Sequence, residues 1–181
     1  FLLRHPEYFM CAVAYRYPLC NQLIQYMNLL WAINLNKNSL IVRITGDNIV
    51  PDGRLIDDLI DAYKHHSNVD YIGANYPADN LPYGVNVELF SLVSLREAYS
   101  NATTQYDLEH VTPWIKRHYK SKGMSESLSN LNYEYITYDL NLTIDSSEEF
   151  NFMKRLFLNV NNPVTISWKD LCKIAFFNQD I

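Results

Sequence analysis

The sequence is poor in glycine, cysteine and clustered positive charge. Only 5 of its 181 residues are glycine and 3 are cysteine, and no two cysteines form a CxxC pair. Free thiols in a reducing cytoplasm are the simplest interpretation of so few cysteines. The net charge of −5 and the lack of a long basic run argue against a nucleic-acid or membrane-surface binder. No apolar run approaches the roughly 18 residues of a membrane span.

The sequence does contain the material for a hydrophobic core, since 48% of its residues are hydrophobic and 14% are aromatic. A compact domain of this size buries roughly 70% of the surface that its unfolded chain exposes. No repeat or linker divides the chain. We therefore expect a single domain over residues 1–181, with residues 1–20 assigned to no element because they lack clear periodicity.

Strand and helix patterns alternate along the chain. Short apolar or β-branched runs predict strands at residues 40–44, 69–74, 85–92 and 135–144. Helical periodicity and capping signals predict helices at residues 21–35, after Asp52, from Leu95, from Pro113, after Ser146 and after Ser167. Residues 121–133 are polar and predict a surface loop. Alternating strands and helices indicate an α/β layered sheet.

Two carboxylates follow predicted strands directly. Asp47 comes after residues 40–44, and Asp145 comes after residues 135–144. In open α/β sheets ligands bind beyond the carboxyl ends of the strands, so these two side chains converge if the strands are neighbours. Two carboxylates with room for water and phosphate oxygens suit Mg²⁺. Position alone leaves open the alternative that Asp47 is a turn residue and Asp145 a helix cap.

Four segments stand in order along the chain: residues 42–47 (VRITGD), 81–91 (LPYGVNVELFS), 109–115 (EHVTPWI) and 142–150 (LTIDSSEEF). Together they resemble the cytidylyltransferases of spore coat polysaccharide and 3-deoxy-manno-octulosonate metabolism. The resemblance implies a three-layer, doubly wound, mostly parallel sheet of the nucleotide-diphospho-sugar transferase type. It also implies a cytoplasmic enzyme that transfers a cytidylyl group from CTP to a sugar or sugar acid, releasing pyrophosphate, for surface polysaccharide synthesis.

The resemblance assigns catalytic roles to three residues. Asp47 and Asp145 would hold Mg²⁺. Arg43 would lie near an acidic sugar or a phosphate, a contact that guanidinium geometry favours. Equally, Arg43 could be a strand residue paired with a neighbouring carboxylate.

The resemblance also implies residues on the sugar side of the pocket. Gly84, Asn86 and Glu88 would line it, with Glu109 and His110 close by. The alternatives are that Glu88 is a plain exposed strand residue and that His110 is structural.

Dimerisation is a further implication of the resemblance. A homodimer would use the segment of residues 99–119. Its apolar residues Val111, Trp114 and Ile115 could equally pack into the domain's own core.

Several positions depart from the family pattern. Residues 1–20 contain no glycine and only Arg4 and Arg16 as cations, unlike the family's glycine-rich loop, whose N–H groups cradle the triphosphate. Leu108 replaces an arginine, and Asn48 stands where a cysteine is usual. Since the chain begins with Phe1, we expect an enzyme that lacks its N-terminal part. A catalytically inactive binding module is the alternative, and a glycosyltransferase is disfavoured because no DxD motif follows a strand.

Overall fold

A computed structural model describes residues 8–13, 38–50, 52–66, 68–74, 81–121, 125–127 and 140–177 of the chain. The strands in this part are β1 (Tyr8–Val13), β2 (Leu40–Thr45), β3 (Tyr71–Ala74), β4 (Val87–Ser91) and β5 (Ser125–Ser127). The helices are α1 (Gly53–His65), α2 (Leu92–Asn101), α3 (Gln105–His110), α4 (Pro113–Ser121), α5 (Ser147–Phe157) and α6 (Trp168–Phe177). None of these helices is both long enough and apolar enough to cross a membrane.

The strands form one sheet in the order β1-β2-β4-β3-β5. β1 pairs in parallel with β2, and β3 pairs in parallel with β5. β4 runs antiparallel to both of its neighbours, β2 and β3. All strands but β4 therefore point the same way, which confirms the predicted mostly parallel sheet. The carboxyl ends of these four strands and the amino end of β4 share one side of the sheet, here called the carboxyl edge.

Two hydrophobic cores lie on opposite faces of the sheet, because successive strand side chains point to opposite faces. The first core joins strand residues such as Val42 and Leu89 to buried residues of α1, α5 and α6. The second joins Ile41 and Phe90 to buried residues of α2 and α4. Helices thus cover both faces and give the three layers that the sequence predicts.

Two of the predicted helix caps are confirmed. Asp52 precedes α1, and its carboxylate accepts a hydrogen bond from the Arg54 backbone N–H at 2.9 Å. The same carboxylate accepts the backbone N–H of Trp168 at 3.1 Å, so it also holds the start of α6. At α5, the Ser146 hydroxyl accepts the Glu149 backbone N–H at 3.2 Å. Such caps satisfy donors that a helix cannot satisfy itself.

The strand predicted over residues 135–144 is wrong in its described part. Residues 140–144 form two isolated bridges, one between Asn141 and Tyr83 and one between Thr143 and Asn48. The physical reason is local, since the Asn141 side chain accepts the Thr143 backbone N–H at 2.9 Å. The Thr143 N–H is therefore not available to a continuous ladder of hydrogen bonds between strands.

Three short elements escaped prediction. β1 lies within residues 1–20, which were assigned to no element because they lack clear periodicity. β5 lies inside residues 121–133, which were predicted as a loop, and it pairs with β3 although its sequence is polar. α3 spans only six residues, too few to show helical periodicity, and begins at a Thr104 cap. The helix predicted over residues 21–35 lies outside the described residues, as do residues 135–139.

Candidate active site

Three segments meet at the carboxyl edge: the turn after β2, the residues before β4, and residues 140–145. The Ile144 N–H donates to the Asp47 carbonyl oxygen at 3.3 Å, and the Leu142 N–H donates to the Tyr83 carbonyl oxygen at 2.7 Å. Since Asp145 directly follows Ile144, the backbones of the two candidate metal-binding residues are neighbours. The sequence anticipated this convergence through strand ends, although the second segment is not a strand.

Gly84 allows the close approach of two of these segments. Its φ is +92°, and a Cβ added there would lie 2.6 Å from the Leu142 carbonyl carbon and 2.8 Å from the Thr143 nitrogen. A positive φ and such close backbone packing both favour glycine. Gly84 therefore shapes the carboxyl edge by its lack of a side chain.

Asn48 gives a structural reason for one departure from the family pattern. Its side-chain amide donates to the Asn86 carbonyl oxygen at 3.2 Å. This bond ties the turn after β2 to the residues that lead into β4. Asn86 thus contributes a backbone acceptor to the carboxyl edge, and its predicted side-chain contact with a sugar stays a prediction.

Asp47 has an unused bonding position. Its Oδ1 atom is buried and accepts no hydrogen bond from the described part of the chain. Leaving a buried acceptor without a donor costs about 1–3 kcal/mol. Mg²⁺ binds through oxygen ligands and keeps several waters, so this carboxylate oxygen fits a Mg²⁺ ligand. Among the described residues no group of three or more His, Cys, Asp or Glu side chains forms a metal cage.

Asp145 is exposed and sits on a turn held by Glu149. The Asp145 backbone N–H donates to Glu149 Oε2 at 2.6 Å, and the Ser146 hydroxyl donates to the same oxygen at 3.1 Å. The Asn141 side-chain amide donates to Glu149 Oε1 at 2.8 Å. The backbone bond from Asp145 is the main cause that lowers the pKa of Glu149. The sequence predicted Glu149 only as part of a helix cap.

A buried ion cluster, here called the Glu88 cluster, lies on the face of the sheet that α2 and α4 cover. Glu88 is only 3% exposed, so the alternative that it is an exposed strand residue is wrong. Arg43 Nη1 lies 2.7 Å from Glu88 Oε2, and Lys116 Nζ lies 2.7 Å from Oε1. The hydroxyls of Tyr71 and Thr112 donate to the same carboxylate at 2.9 and 3.0 Å.

The two cations keep Glu88 ionised. Burial by itself would raise its pKa, but the charges of Arg43 and then Lys116 outweigh that effect and lower the pKa to about 2. Arg43 is therefore paired with a neighbouring carboxylate, as the second interpretation of its sequence position proposed.

Glu109 and His110 end α3, on the segment that leads to the cluster. His110 is exposed and its ring centroid lies 4.5 Å from that of Tyr106, while Glu109 is half-buried. Within the described residues, no hydrogen bond or ion pair joins either side chain to the carboxyl edge. The nearby residue that does reach the Glu88 cluster is Thr112, which lies in the segment of residues 109–115 but was not predicted as a site residue.

The apolar residues proposed for a dimer interface serve the domain's own core. Val111 and Ile115 are fully buried in the second core, and Trp114 packs against it. This confirms the intradomain alternative for these three side chains. Homodimerisation itself stays a prediction.

Comparison with known proteins decides the family. The sequence profile of the cytidylyltransferases matches residues 16–179, nearly the whole chain. The chain belongs to the cytidylyltransferase family. This cytidylyltransferase-family chain is 33% identical over 139 residues to protein MJ1063 of Methanocaldococcus jannaschii, covering 76% of this chain and 52% of that protein. It is 30% identical over 148 residues to the spore coat polysaccharide biosynthesis protein SpsF of Bacillus subtilis, covering 80% of this chain and 58% of SpsF. It thus spans somewhat more than half the length of these relatives.

A solved structure confirms the fold. The chain is similar to a cytidylyltransferase from Leptospira borgpetersenii serovar Hardjo-bovis, with a TM-score of 0.75. The match covers 88% of this chain and 64% of that chain, at 21% sequence identity. At this identity the likeness shows the fold alone, which is the predicted nucleotide-diphospho-sugar transferase-like α/β fold.

Proposed function

We propose that this chain transfers a cytidylyl group from CTP to a sugar or sugar acid and releases pyrophosphate. Membership of the cytidylyltransferase family supports CTP as the nucleotide. The similarity to SpsF, named for spore coat polysaccharide biosynthesis, supports a role in making a surface polysaccharide. The observation that carries the proposal is the buried Asp47 Oδ1, which accepts no hydrogen bond from the described residues and lies at the carboxyl edge, where ligands of open α/β sheets bind.

In the proposed reaction a sugar hydroxyl or phosphate oxygen attacks the α-phosphorus of CTP. A new phosphorus–oxygen bond forms, and the bond to pyrophosphate breaks. Asp47 and Asp145 would hold Mg²⁺, which, when bound, offsets charge on the phosphate oxygens and orients the triphosphate. The pairing of the two backbones through Ile144 supports this shared role.

The Glu88 cluster would add an electrostatic preference to the site. Arg43 and Lys116 together carry two positive charges against the single negative charge of Glu88. The net positive charge favours anionic groups nearby, such as phosphates or a sugar carboxylate. Gly84, together with Asn86 and His110, is proposed to border the sugar.

A catalytically inactive binding module is the second candidate function. It is favoured by Leu108, which stands where the family pattern has an arginine and so removes a contact for an anion. Such a module would keep the crevice but bind a nucleotide or a partner without chemistry.

Nucleotide binding is tested by calorimetric titration with CTP, ATP, GTP and UTP in the presence of Mg²⁺. Cytidylyl transfer is tested by measuring pyrophosphate release across a panel of sugars and sugar acids. Preferential, Mg²⁺-dependent binding of CTP, with pyrophosphate released by one sugar, is the expected result. CTP binding without release by any sugar would favour the binding module. The lack of any preference for CTP would contradict the proposal.

A further inference from the structure

We infer that Glu149 is a positioning residue, which fixes the turn that carries Asp145 and so sets the affinity of Asp47 and Asp145 for a divalent cation. The inference rests on the proposed function, because it takes those two carboxylates as the cation ligands. It goes beyond it by assigning a role to a residue that contacts neither the substrate nor the cation.

Glu149 bonds to the turn with both of its carboxylate oxygens. Oε2 accepts the Asp145 backbone N–H at 2.6 Å and the Ser146 hydroxyl at 3.1 Å. Oε1 accepts the Asn141 side-chain amide at 2.8 Å. One side chain in the first turn of α5 therefore links residues on both sides of Asp145.

Asn141 extends this set of hydrogen bonds, here called the Glu149 brace, toward Asp47. Its Oδ1 accepts the Thr143 backbone N–H at 2.9 Å and the Thr143 hydroxyl at 2.8 Å. Thr143 is buried and forms a bridge with Asn48, the residue after Asp47. A continuous set of hydrogen bonds therefore runs from α5 to the turn that holds the other carboxylate.

This arrangement does more than cap a helix. In a capping box the third helical residue bonds to the backbone N–H of the cap itself. Here the cap is Ser146, and besides its bond to the Ser146 backbone the Glu149 carboxylate accepts the Asp145 N–H and also reaches Asn141. Residues that orient metal ligands in this way typically change metal affinity by 10–100-fold when they are replaced.

The adjacent residue Glu148 offers a matched control. It carries the same charge in the same first turn of α5, and it is exposed. Its carboxylate accepts a hydrogen bond from the hydroxyl of its own neighbour, Ser147, at 3.2 Å. Replacing Glu148 therefore removes one negative charge near the site and leaves the hydrogen bonds of the Glu149 brace in place.

The test uses Mn²⁺ as the probe, with free Mn²⁺ measured by electron paramagnetic resonance during titration of the 181-residue chain. Four proteins are compared: the parent, Glu149→Gln, Asn141→Ala and Glu148→Gln. We expect Glu149→Gln to weaken Mn²⁺ binding about 10-fold, the lower end of the usual range for such residues. Asn141→Ala should weaken it in the same direction by less, and Glu148→Gln should leave it within about twofold of the parent. Circular dichroism of each variant establishes that the protein titrated is folded.

The outcomes separate the inference from the function on which it rests. Equal weakening in Glu149→Gln and Glu148→Gln would mean that charge, not position, matters and would overturn the inference. Unchanged affinity in Glu149→Gln would overturn it too. If Glu149→Gln does not fold, unchanged affinity in Asn141→Ala overturns it. If the parent binds no Mn²⁺, that result would instead contradict the proposed cation site, and the inference would fail with it.

Discussion

Glu88 and Asp47 are two carboxylates with buried oxygen atoms, and the protein gives them different partners. Glu88 accepts from two cations and two hydroxyls and is almost fully buried. Asp47 also has a buried oxygen, but no donor in the described part of the chain reaches it. Burial of charge therefore does not by itself mark a ligand site. The distinguishing feature is whether the protein already satisfies the buried group.

The energetic reason is the cost of removing a charge from water. An ionised carboxylate in the interior loses several kcal/mol of hydration, which only partners of opposite charge and hydrogen-bond donors can offset. For Glu88 these partners come from the protein itself. For Asp47 Oδ1 no partner comes from the described part of the chain, and a divalent cation is the partner that we propose.

Replacement of Glu88 should produce the largest effect. Glu88→Gln removes the charge that Arg43 and Lys116 share and should cost about 3 kcal/mol of unfolding free energy. Lys116→Met is the matched control, because the lysine side chain is 41% exposed and its removal should cost less than about 1 kcal/mol. Urea unfolding of the three proteins measures both values. Equal losses in the two variants would show that the cluster does not anchor the fold.

Lowering the pH should reduce the unfolding free energy through the same carboxylate, that of Glu88. The pKa of Glu88 is lower in the folded protein, about 2, than its ordinary value of 4.5. Its stabilisation is therefore fully present above pH 4.5 and is lost as the pH falls toward 2. The parent should lose about 3 kcal/mol from this group over that window. In Glu88→Gln this loss should be missing, so the difference in unfolding free energy between the two proteins should shrink as the pH falls. A difference that stays constant with pH would contradict this expectation.

A substitution at Gly84 should have an intermediate effect. Gly84→Ala forces a Cβ against the Leu142 backbone at a positive φ, and it should cost about 1–3 kcal/mol. Gly53→Ala is the control, because no atom lies within 4 Å of a Cβ built there, and its stability should be almost unchanged. Thermal unfolding of both variants measures the contrast. If alanine changes the stability equally at both glycines, the close packing of Gly84 against residues 140–145 does not contribute to stability.

Local features of the fold were predictable from the sequence. The β-branched run of β2 and the turn after it carry their own signal, and so do the caps Asp52 and Ser146, because a cap needs only residues a few positions apart. The positions of Asp47 and Asp145 could be anticipated from strand ends and from the family resemblance. Their cation-binding role stays a prediction.

Features that depend on distant residues were not predictable. Glu88 meets Arg43 across 45 residues and Thr112 across 24, and these pairings follow from strand order and helix packing, which hydrophobic periodicity does not contain. The Glu149 brace was not predictable for another reason. Its sequence signal is that of a helix cap, and only the bonds to the Asp145 N–H and to Asn141 distinguish it.

The most direct test is the thermal unfolding of the parent and of Asp47→Asn, with and without Mg²⁺ and CTP. Without ligand, Asp47→Asn should be no less stable than the parent, because the substitution removes a charge and costs Oδ1 no hydrogen bond from a described donor. With ligand at about 100 times its Kd, the parent should gain roughly 2.7 kcal/mol, and Asp47→Asn should gain nothing at the same concentration. An equal gain in both proteins would contradict the central claim that the fold leaves this carboxylate for a cation.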